Sequence, residues 1–139
     1  MRFVDASVFL YAYLKPKRPI PTGVAEMKRR AREIVARISA GERASTSLIH
    51  LSEVANILEA VMSLNESREI ISDLVSSETI EVLEITKRDF LGAVDIAEES
   101  TVGVNDAVAC VLMRSNGISE IYSFDSDFDR IHDIKRVVV

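Results

Sequence analysis

Short apolar stretches alternate along the chain with longer segments whose apolar residues recur at helical spacing, and this alternation constrains the fold most. When a helix connects two neighbouring strands of one sheet, the strands run parallel and the crossover is right-handed. Repetition of this unit predicts an α/β protein, a three-layer α/β/α sandwich around a parallel sheet of about five strands. The predicted strands are residues 2–4, 44–47, 80–85, 121–124 and 136–139.

The predicted helices lie between these strands. Gly41 is the predicted C-terminal cap of the second helix, and Thr86 with Asp89 forms the pattern of a capping box. The helix that begins at Asp106 is apolar around almost its whole circumference, which predicts a buried position, and the last strand is predicted to be covered on both faces. The predicted helices are residues 6–14, 24–38, 48–62, 66–77, 86–100 and 106–114, and residues 15–21 are a predicted loop.

Length and composition are those of one compact domain, residues 1–139, with 47% hydrophobic residues. The single cysteine, Cys110, lies in an apolar helix, so we expect a buried thiol and no disulfide or thiolate zinc site within one chain. No run reaches membrane-spanning length, and Asp5 interrupts the apolar N-terminal stretch. We therefore expect no membrane association and a cytoplasmic location.

Basic residues are concentrated in one part of the chain, although the formal net charge is −5. Their clustering predicts one locally basic surface that could contact RNA phosphates, while a solvated outer helix face is the alternative. Eight of the seventeen basic residues fall in this region, namely Lys15, Lys17, Arg18, Lys28, Arg29, Arg30, Arg32 and Arg37. The candidate substrate-binding residues among them are Lys15, Lys17, Arg18, Arg29, Arg30 and Arg32.

Four carboxylates stand at junctions of the predicted elements. Asp5 and Asp125 end strands, Asp106 opens a helix, and Glu53 lies at the margin of the apolar face of another helix. Ligands of open parallel sheets collect beyond the carboxyl ends of the strands, at the point where the strand order reverses. If the strands of Asp5 and Asp125 are neighbours there, the four acids converge in one crevice.

Converging carboxylates repel one another, and a divalent cation relieves that repulsion. Oxygen donors suit Mg²⁺ or Mn²⁺, whereas zinc fits badly because the chain has only two histidines and one cysteine. His50 is predicted to be a satisfied core histidine and His132 a surface residue. A metal in such a site activates water on a phosphodiester, so no protein nucleophile is required. The chain accordingly contains no G-x-S-x-G, P-loop or G-x-G-x-x-G motif.

Each acid also has a purely structural interpretation. Asp106 could complement a helix dipole after an Asn105 cap, and Asp127 could do the same after a Ser126 cap. Glu53 could be solvated. Ser7 and Ser123 are candidates to hydrogen-bond a ligand carboxylate or a metal-bound water, with helix capping as the alternative for Ser7.

The ordered set of acidic motifs resembles a PIN-domain nuclease across the whole chain, and its length resembles that of small VapC-type toxins. The resemblance is carried by five motifs in order: Asp5 with Ser7, Glu53 after Leu51-Ser52, Asp106 between Asn105 and Ala107, Asp125 after Ser123-Phe124, and Asp127 before Phe128. It implies strand order 3-2-1-4-5 and cleavage of RNA that depends on Mg²⁺ or Mn²⁺. It also implies an acidic quartet of Asp5, Glu53, Asp106 and Asp125, with Asp127 as an auxiliary acid and Asn105 in a supporting position.

The resemblance further implies a cognate antitoxin and a homodimer. The basic, proline-containing region from residue 15 to 37 is longer than in the shortest members, and could bind RNA, the antitoxin or a second protomer. A phosphoacceptor of the receiver type is disfavoured because Asp5 has no adjacent acid, and a haloacid-dehalogenase phosphatase because Ser7 stands where a second Asp is needed. A catalytically silent PIN-fold module that binds nucleic acid or protein stays open.

Overall fold

The computed structural model describes residues 1–16 and 20–138. The predicted Lys17, Arg18 and Pro19 of the loop, and Val139 of the last strand, lie outside these residues. Each predicted strand and helix is present, with ends that differ by a few residues. The elements are β1 (Arg2–Val4), α1 (Ala6–Tyr13), α2 (Thr22–Ser39), β2 (Ala44–Ser47), α3 (Leu48–Val61), α4 (Leu64–Ser76), β3 (Ile80–Leu83), α5 (Lys87–Ser100), α6 (Val104–Ser115), β4 (Glu120–Tyr122), a short 3₁₀ helix (Ser126–Arg130) and β5 (Lys135–Val137).

The five strands form one parallel sheet in the order β3-β2-β1-β4-β5, which confirms the predicted order. The chain builds the sheet outward from β1 to β3, then crosses over through α5 and α6 and returns to place β4 on the other side of β1. The order therefore reverses between β1 and β4. Their register pairs Val4 with Tyr122, so the residues that follow these two strands emerge side by side.

Helices cover both faces of the sheet, as the three-layer prediction requires. One core lies between the sheet and α1 to α4, with Phe9, Ile34 and Leu58 fully buried. The other lies between the sheet and α5 and α6, where Met113 and Ile121 are buried. Six residues of α6 are buried, which confirms the position predicted from its apolar circumference.

Local signals set several of the boundaries. The Thr86 hydroxyl accepts from the Asp89 amide and the Asp89 carboxylate accepts from the Thr86 amide, so the predicted capping box starts α5. After α2, Gly41 has φ of 126°, in the region that favours glycine, and its amide donates to the Ile38 carbonyl. α2 ends at Ser39, Ala40 is its C-cap, and the predicted capping glycine, Gly41, is the residue that follows.

The last strand differs from the prediction. β5 begins at Lys135 and, as the predicted order requires, is an edge strand that pairs with β4 alone among the described residues, but it is not buried on both faces as predicted. Lys135 and Val138 are exposed, and Arg136 and Val137 are half-buried. An apolar run therefore did not predict how far the helices cover this strand, because the pattern is the same for a covered and a partly exposed strand. None of the described helices has the length and apolarity that crossing a bilayer demands.

Candidate metal centre

Asp5 lies at the reversal point of the sheet, directly after β1. Its amide donates to the Tyr122 carbonyl over 3.0 Å, which continues the β1–β4 pairing by one residue. Its carboxylate is buried, and Oδ2 accepts from the hydroxyl of Ser7 at 2.7 Å and from that of Ser123 at 2.8 Å. No side-chain capping bond to α1 is formed by Asp5. Two neutral donors therefore compensate the burial of this carboxylate.

The two serines also fix the loop that follows β4. The Ser7 Oγ accepts from the amide of Phe124 at 3.2 Å, and the Ser123 Oγ accepts from the amide of Asp125 at 3.0 Å. Each hydroxyl thus accepts from this loop and donates to Asp5. The alternative that Ser7 caps a helix is wrong, because Ser7 lies inside the first turn of α1.

Asp125 and Asp127 belong to the start of the 3₁₀ helix. Asp125 is its N-cap, and its Oδ1 accepts from the Asp127 amide at 2.9 Å. The Ser126 cap considered from the sequence is therefore wrong, since Ser126 is already the first helical residue and is exposed. Both carboxylates are half-buried and lie above the ends of β1 and β4.

Asp106 enters the same crevice from the first turn of α6. The N-cap of α6 is Gly103, without a side-chain capping bond, so the Asn105 cap considered from the sequence is also wrong. A Cβ on Gly103 would lie 3.7 Å from Oδ2 of Asp106. This is an ordinary van der Waals distance, so Gly103 and the Asp106 carboxylate are neighbours at the start of α6.

The electrostatics of Asp106 report how closely the acids converge. Its pKa is raised from 3.8 to about 7, chiefly by burial and then by the negative charges of Asp5, Asp125, Asp127 and Glu53. One carboxylate oxygen from each of Asp106, Asp125 and Asp127 can be chosen so that all three lie within 4.8 Å of one another. The structure thus brings together all five acids predicted from the sequence, with Asp127 in the tightest group.

Glu53 completes the crevice from α3. Its pKa is raised by burial and by the charge of Asp5, and the side chain of Asn105 opposes this as a hydrogen-bond partner of the carboxylate. Asn105, predicted only as a supporting residue, therefore connects the first turn of α6 to the Glu53 carboxylate. The solvated alternative for Glu53 is wrong, since the side chain is half-buried beside the other acids.

His50, one turn before Glu53 on α3, is the polar residue whose environment the sequence did not reveal. It is fully buried, as predicted, and its ring packs edge-on against Phe3 at 5.0 Å between centroids. Nδ1 lies 2.6 Å from the Ser47 hydroxyl, but Nε2 has no hydrogen-bond partner among the described residues and lies 3.9 Å from Oδ1 of Asp5. The prediction of a satisfied histidine therefore fails at one nitrogen. Burial lowers the pKa of His50, and the charge of Asp5 opposes this shift.

The family model described as PIN domain matches residues 2–134. The chain belongs to the PIN-domain family. This confirms the resemblance seen in the motifs, and the acidic crevice lies within the matched residues.

Solved structures of similar fold include a toxin and a toxin–antitoxin complex. VapC20 of Mycobacterium tuberculosis, a toxin that cleaves the sarcin–ricin loop, matches with a TM-score of 0.71 and 22% identity over 93% of each chain. A toxin–antitoxin complex from Klebsiella pneumoniae matches with a TM-score of 0.66 and 14% identity over 96% of this PIN domain and 95% of that chain. VapBC2 of Rickettsia felis, bound to a DNA fragment from its promoter, matches with a TM-score of 0.67 and 12% identity, over 98% of this PIN domain and 96% of that chain. No curated protein sequence matches.

The donor set of this PIN domain suits a hard divalent cation. The crevice offers carboxylate oxygens at a spacing that one ion can bridge, and the raised pKa of Asp106 marks negative charge of which Arg130, 3.6 Å from Asp127, compensates only a part. None of the described histidines or cysteines joins this group: Cys110 is buried elsewhere on α6, with its pKa raised to about 12 by burial. Mg²⁺ or Mn²⁺ fits this chemistry, and Zn²⁺ does not.

In the described part of the basic region, most of the positive charges have partners within the protein. Lys28 is buried, and its ammonium donates to the carbonyls of Tyr11, at 2.8 Å, and Leu14, so it joins α2 to the end of α1. Arg29 and Arg30 both pair with Glu26.

The other members of the region vary in exposure and contacts. Arg29 and Arg37 pair with Glu33, and Arg32 reaches the Ala12 carbonyl at 3.5 Å. Lys15 is exposed. Acidic neighbours on α2 therefore compensate much of the charge expected from the sequence.

Proposed function

We propose that this PIN domain is an endoribonuclease that hydrolyses RNA phosphodiesters at a Mg²⁺ or Mn²⁺ ion held by its acidic crevice. One observation carries the proposal: five carboxylates from four separate chain segments converge where the sheet order reverses, and burial together with their mutual repulsion raises the pKa of Asp106 to about 7. A fold gains nothing in stability from such repulsion, so the cluster indicates a cationic ligand.

Asp5, Asp106 and Asp125 would hold the ion, with Glu53 and Asp127 beside them. The cation would polarise a phosphodiester and lower the pKa of a water molecule. Asp5 is prepared for its role because Ser7 and Ser123 occupy Oδ2, while Oδ1 has no donor among the described residues.

Glu53 and Asp106 supply proton chemistry. The pKa of Glu53 is raised by its surroundings, so its carboxylate is more basic than an exposed one and suits the acceptance of a proton from an attacking water. Asp106 in the metal-free protein is partly protonated near neutral pH and would release its proton when a cation enters.

The biological context we propose is a toxin with a cognate antitoxin, in the cytoplasm and as a homodimer. The family and the similarity of fold to VapC20 and to toxin–antitoxin complexes support it. Induced expression of the wild-type chain, but not of the Asp106→Asn variant, should then arrest bacterial growth, and co-expression of a small co-encoded protein should restore it.

The test of the catalytic proposal is cleavage of a structured RNA panel with Mg²⁺, with Mn²⁺ and with EDTA. We expect cleavage by the wild type with either metal and none by Asp106→Asn or in EDTA. Asp95→Asn is the matched control, because Asp95 is exposed on α5. Equal cleavage by wild type and Asp106→Asn would overturn the nuclease assignment, and no cleavage by any chain that still binds Mn²⁺ would favour a catalytically silent binding module.

A further inference from the structure

A buried imidazole edge faces the carboxylate of Asp5. The His50 side chain has 0% exposure, and its Nε2 is a fully buried polar atom without a hydrogen-bond partner among the described residues. Burial of an unpaired N–H or ring nitrogen is unfavourable, so such an atom in a native core calls for an explanation. Oδ1 of Asp5 lies 3.9 Å from it, and the backbone of Asn105 is a second polar neighbour of the imidazole.

The Ser47 hydroxyl sets which ring nitrogen carries the proton. Ser47 is the N-cap of α3, and its Oγ accepts from the backbone amide of His50 at 3.2 Å while lying 2.6 Å from Nδ1. The hydroxyl proton has no other acceptor among the described residues, so it is donated to Nδ1. A neutral ring that accepts at Nδ1 carries its proton at Nε2.

The oxygen of Asp5 that lies 3.9 Å from Nε2 is Oδ1. Oδ2 already accepts from Ser7 and Ser123, and Oδ1 accepts from no described residue. The separation of 3.9 Å exceeds hydrogen-bond length by about 1 Å, so the two groups are not hydrogen-bonded here and would have to approach by that amount to form a bond. A bond made there would fix the plane of the carboxylate at both oxygens.

The position of His50 on α3 supports a link to the acidic crevice. Residues three apart on a helix lie on the same side, so one turn of α3 carries both His50 and Glu53 towards Asp5. A histidine that served only to fill the core against Phe3 would not need its second nitrogen directed at a carboxylate.

We propose that His50 is a positioning residue of the metal centre, whose Nε2–H orients the Asp5 carboxylate for a divalent cation. The inference rests on the proposed function, since it assumes that Asp5 binds the ion. Residues that orient metal ligands through hydrogen bonds typically change metal affinity by about 10- to 100-fold when they are removed.

Calorimetric titration of Mn²⁺ into the full chain without RNA tests this. His50→Leu, which keeps the bulk and removes both nitrogens, should weaken Mn²⁺ binding by about 10-fold or more. His50→Gln, whose terminal amide can place a donor near Nε2, should restore most of that affinity. His132→Leu is the control, because His132 is exposed.

Unchanged Mn²⁺ affinity in folded His50→Leu would overturn the role of His50 and leave the proposed function intact. Absence of Mn²⁺ binding in the wild type would instead overturn the metal centre, and the role of His50 with it. If His50→Leu does not fold, ¹⁵N spectra of the imidazole in the metal-free wild type decide: a proton on Nε2 supports the inference, and a proton on Nδ1 overturns it.

Discussion

The Ser123 hydroxyl donates to Oδ2 of Asp5 over 2.8 Å, a contact between residues 118 positions apart in the chain. It joins the end of β4 to the end of β1 at the point where the order of the strands reverses. The same hydroxyl accepts from the amide of Asp125. One small side chain therefore fixes the relative positions of two acids of the crevice.

Ser123→Ala should weaken both the crevice and the fold. The buried Asp5 carboxylate loses one of its two hydroxyl donors, and the Asp125 amide loses its acceptor, so the free energy of unfolding should fall by about 1–3 kcal/mol. Mn²⁺ affinity should fall by about 10-fold. Urea denaturation and calorimetry measure the two effects, with the exposed Ser126→Ala as control. Wild-type values for Ser123→Ala would show that Ser7 alone is sufficient to hold Asp5.

The raised pKa of Asp106 predicts how the stability of the metal-free protein depends on pH. In the folded chain this pKa is about 7, against 3.8 for an ordinary aspartate, so between these values the folded state retains a proton that the unfolded chain has lost. The contribution of Asp106 to the free energy of unfolding is therefore fully present below pH 4. It is lost as the pH rises through 7, which lowers the free energy of unfolding by on the order of 2–4 kcal/mol.

Asp106→Asn should remove this decline and make the metal-free chain more stable than the wild type at pH 8. Denaturation in EDTA at pH 5, 6, 7 and 8 checks it, and the Asp95→Asn variant should keep the wild-type slope. A decline of the same size in Asp106→Asn would assign the titration to another acid of the crevice.

Periodicity and cap chemistry were sufficient for most of the fold. The capping box of Thr86 and Asp89 and the glycine at position 41 act through neighbouring residues, so their effects can be predicted from a short stretch of sequence. Strand order is a long-range property, and it came from resemblance to the PIN family. The edge position of β5 follows from that order, whereas its partial exposure was missed because an apolar run has the same pattern whether its sheet faces are covered or not.

The site was predictable where each residue follows an element boundary, and unpredictable where it depends on partners. Asp5, Asp106 and Asp125 stand at boundaries, so the reversal of strand order brings them together. The free Nε2 of His50 depends on Ser47 and Asp5, and the burial of Lys28 depends on carbonyls at the end of α1. The burial of Lys28 could have been predicted from the sequence, because Lys28 falls on the same helix face as Ala31 and Ile34.

The ion pairs of α2 predict that removing its basic charges weakens RNA binding, whereas removing the acidic charge that pairs with them strengthens it. Arg29 and Arg30 both pair with Glu26, whose pKa is lowered to about 2 by its hydrogen bonds with them. Reversing the charge of Arg29, Arg30 and Arg32 should weaken RNA binding and flatten its salt dependence, because fewer phosphate contacts release fewer counterions.

Glu26→Gln should strengthen RNA binding and steepen the salt dependence, because it frees the Arg30 guanidinium and leaves that of Arg29 paired with Glu33 alone. Fluorescence anisotropy of a labelled RNA at several salt concentrations measures both, using Asp106→Asn to prevent cleavage, and Glu98→Gln on α5 is the control. An unchanged salt slope in every variant would assign this part of α2 to solvent or to a protein partner.

Asp127 and Asp125 should differ in their effect on cleavage although both lie in the tightest group of acids. The Asp127 side chain is 38% exposed, and the guanidinium of Arg130 lies 3.6 Å from its Oδ1, so part of its charge is already compensated. Asp125 is fixed by the 3₁₀ helix and by the Ser123 hydroxyl. We therefore expect a loss of about 10-fold in RNA cleavage for Asp127→Asn and at least about 100-fold for Asp125→Asn. Initial rates at saturating Mn²⁺ compare them, and equal losses would make Asp127 a metal ligand of the same rank as Asp125.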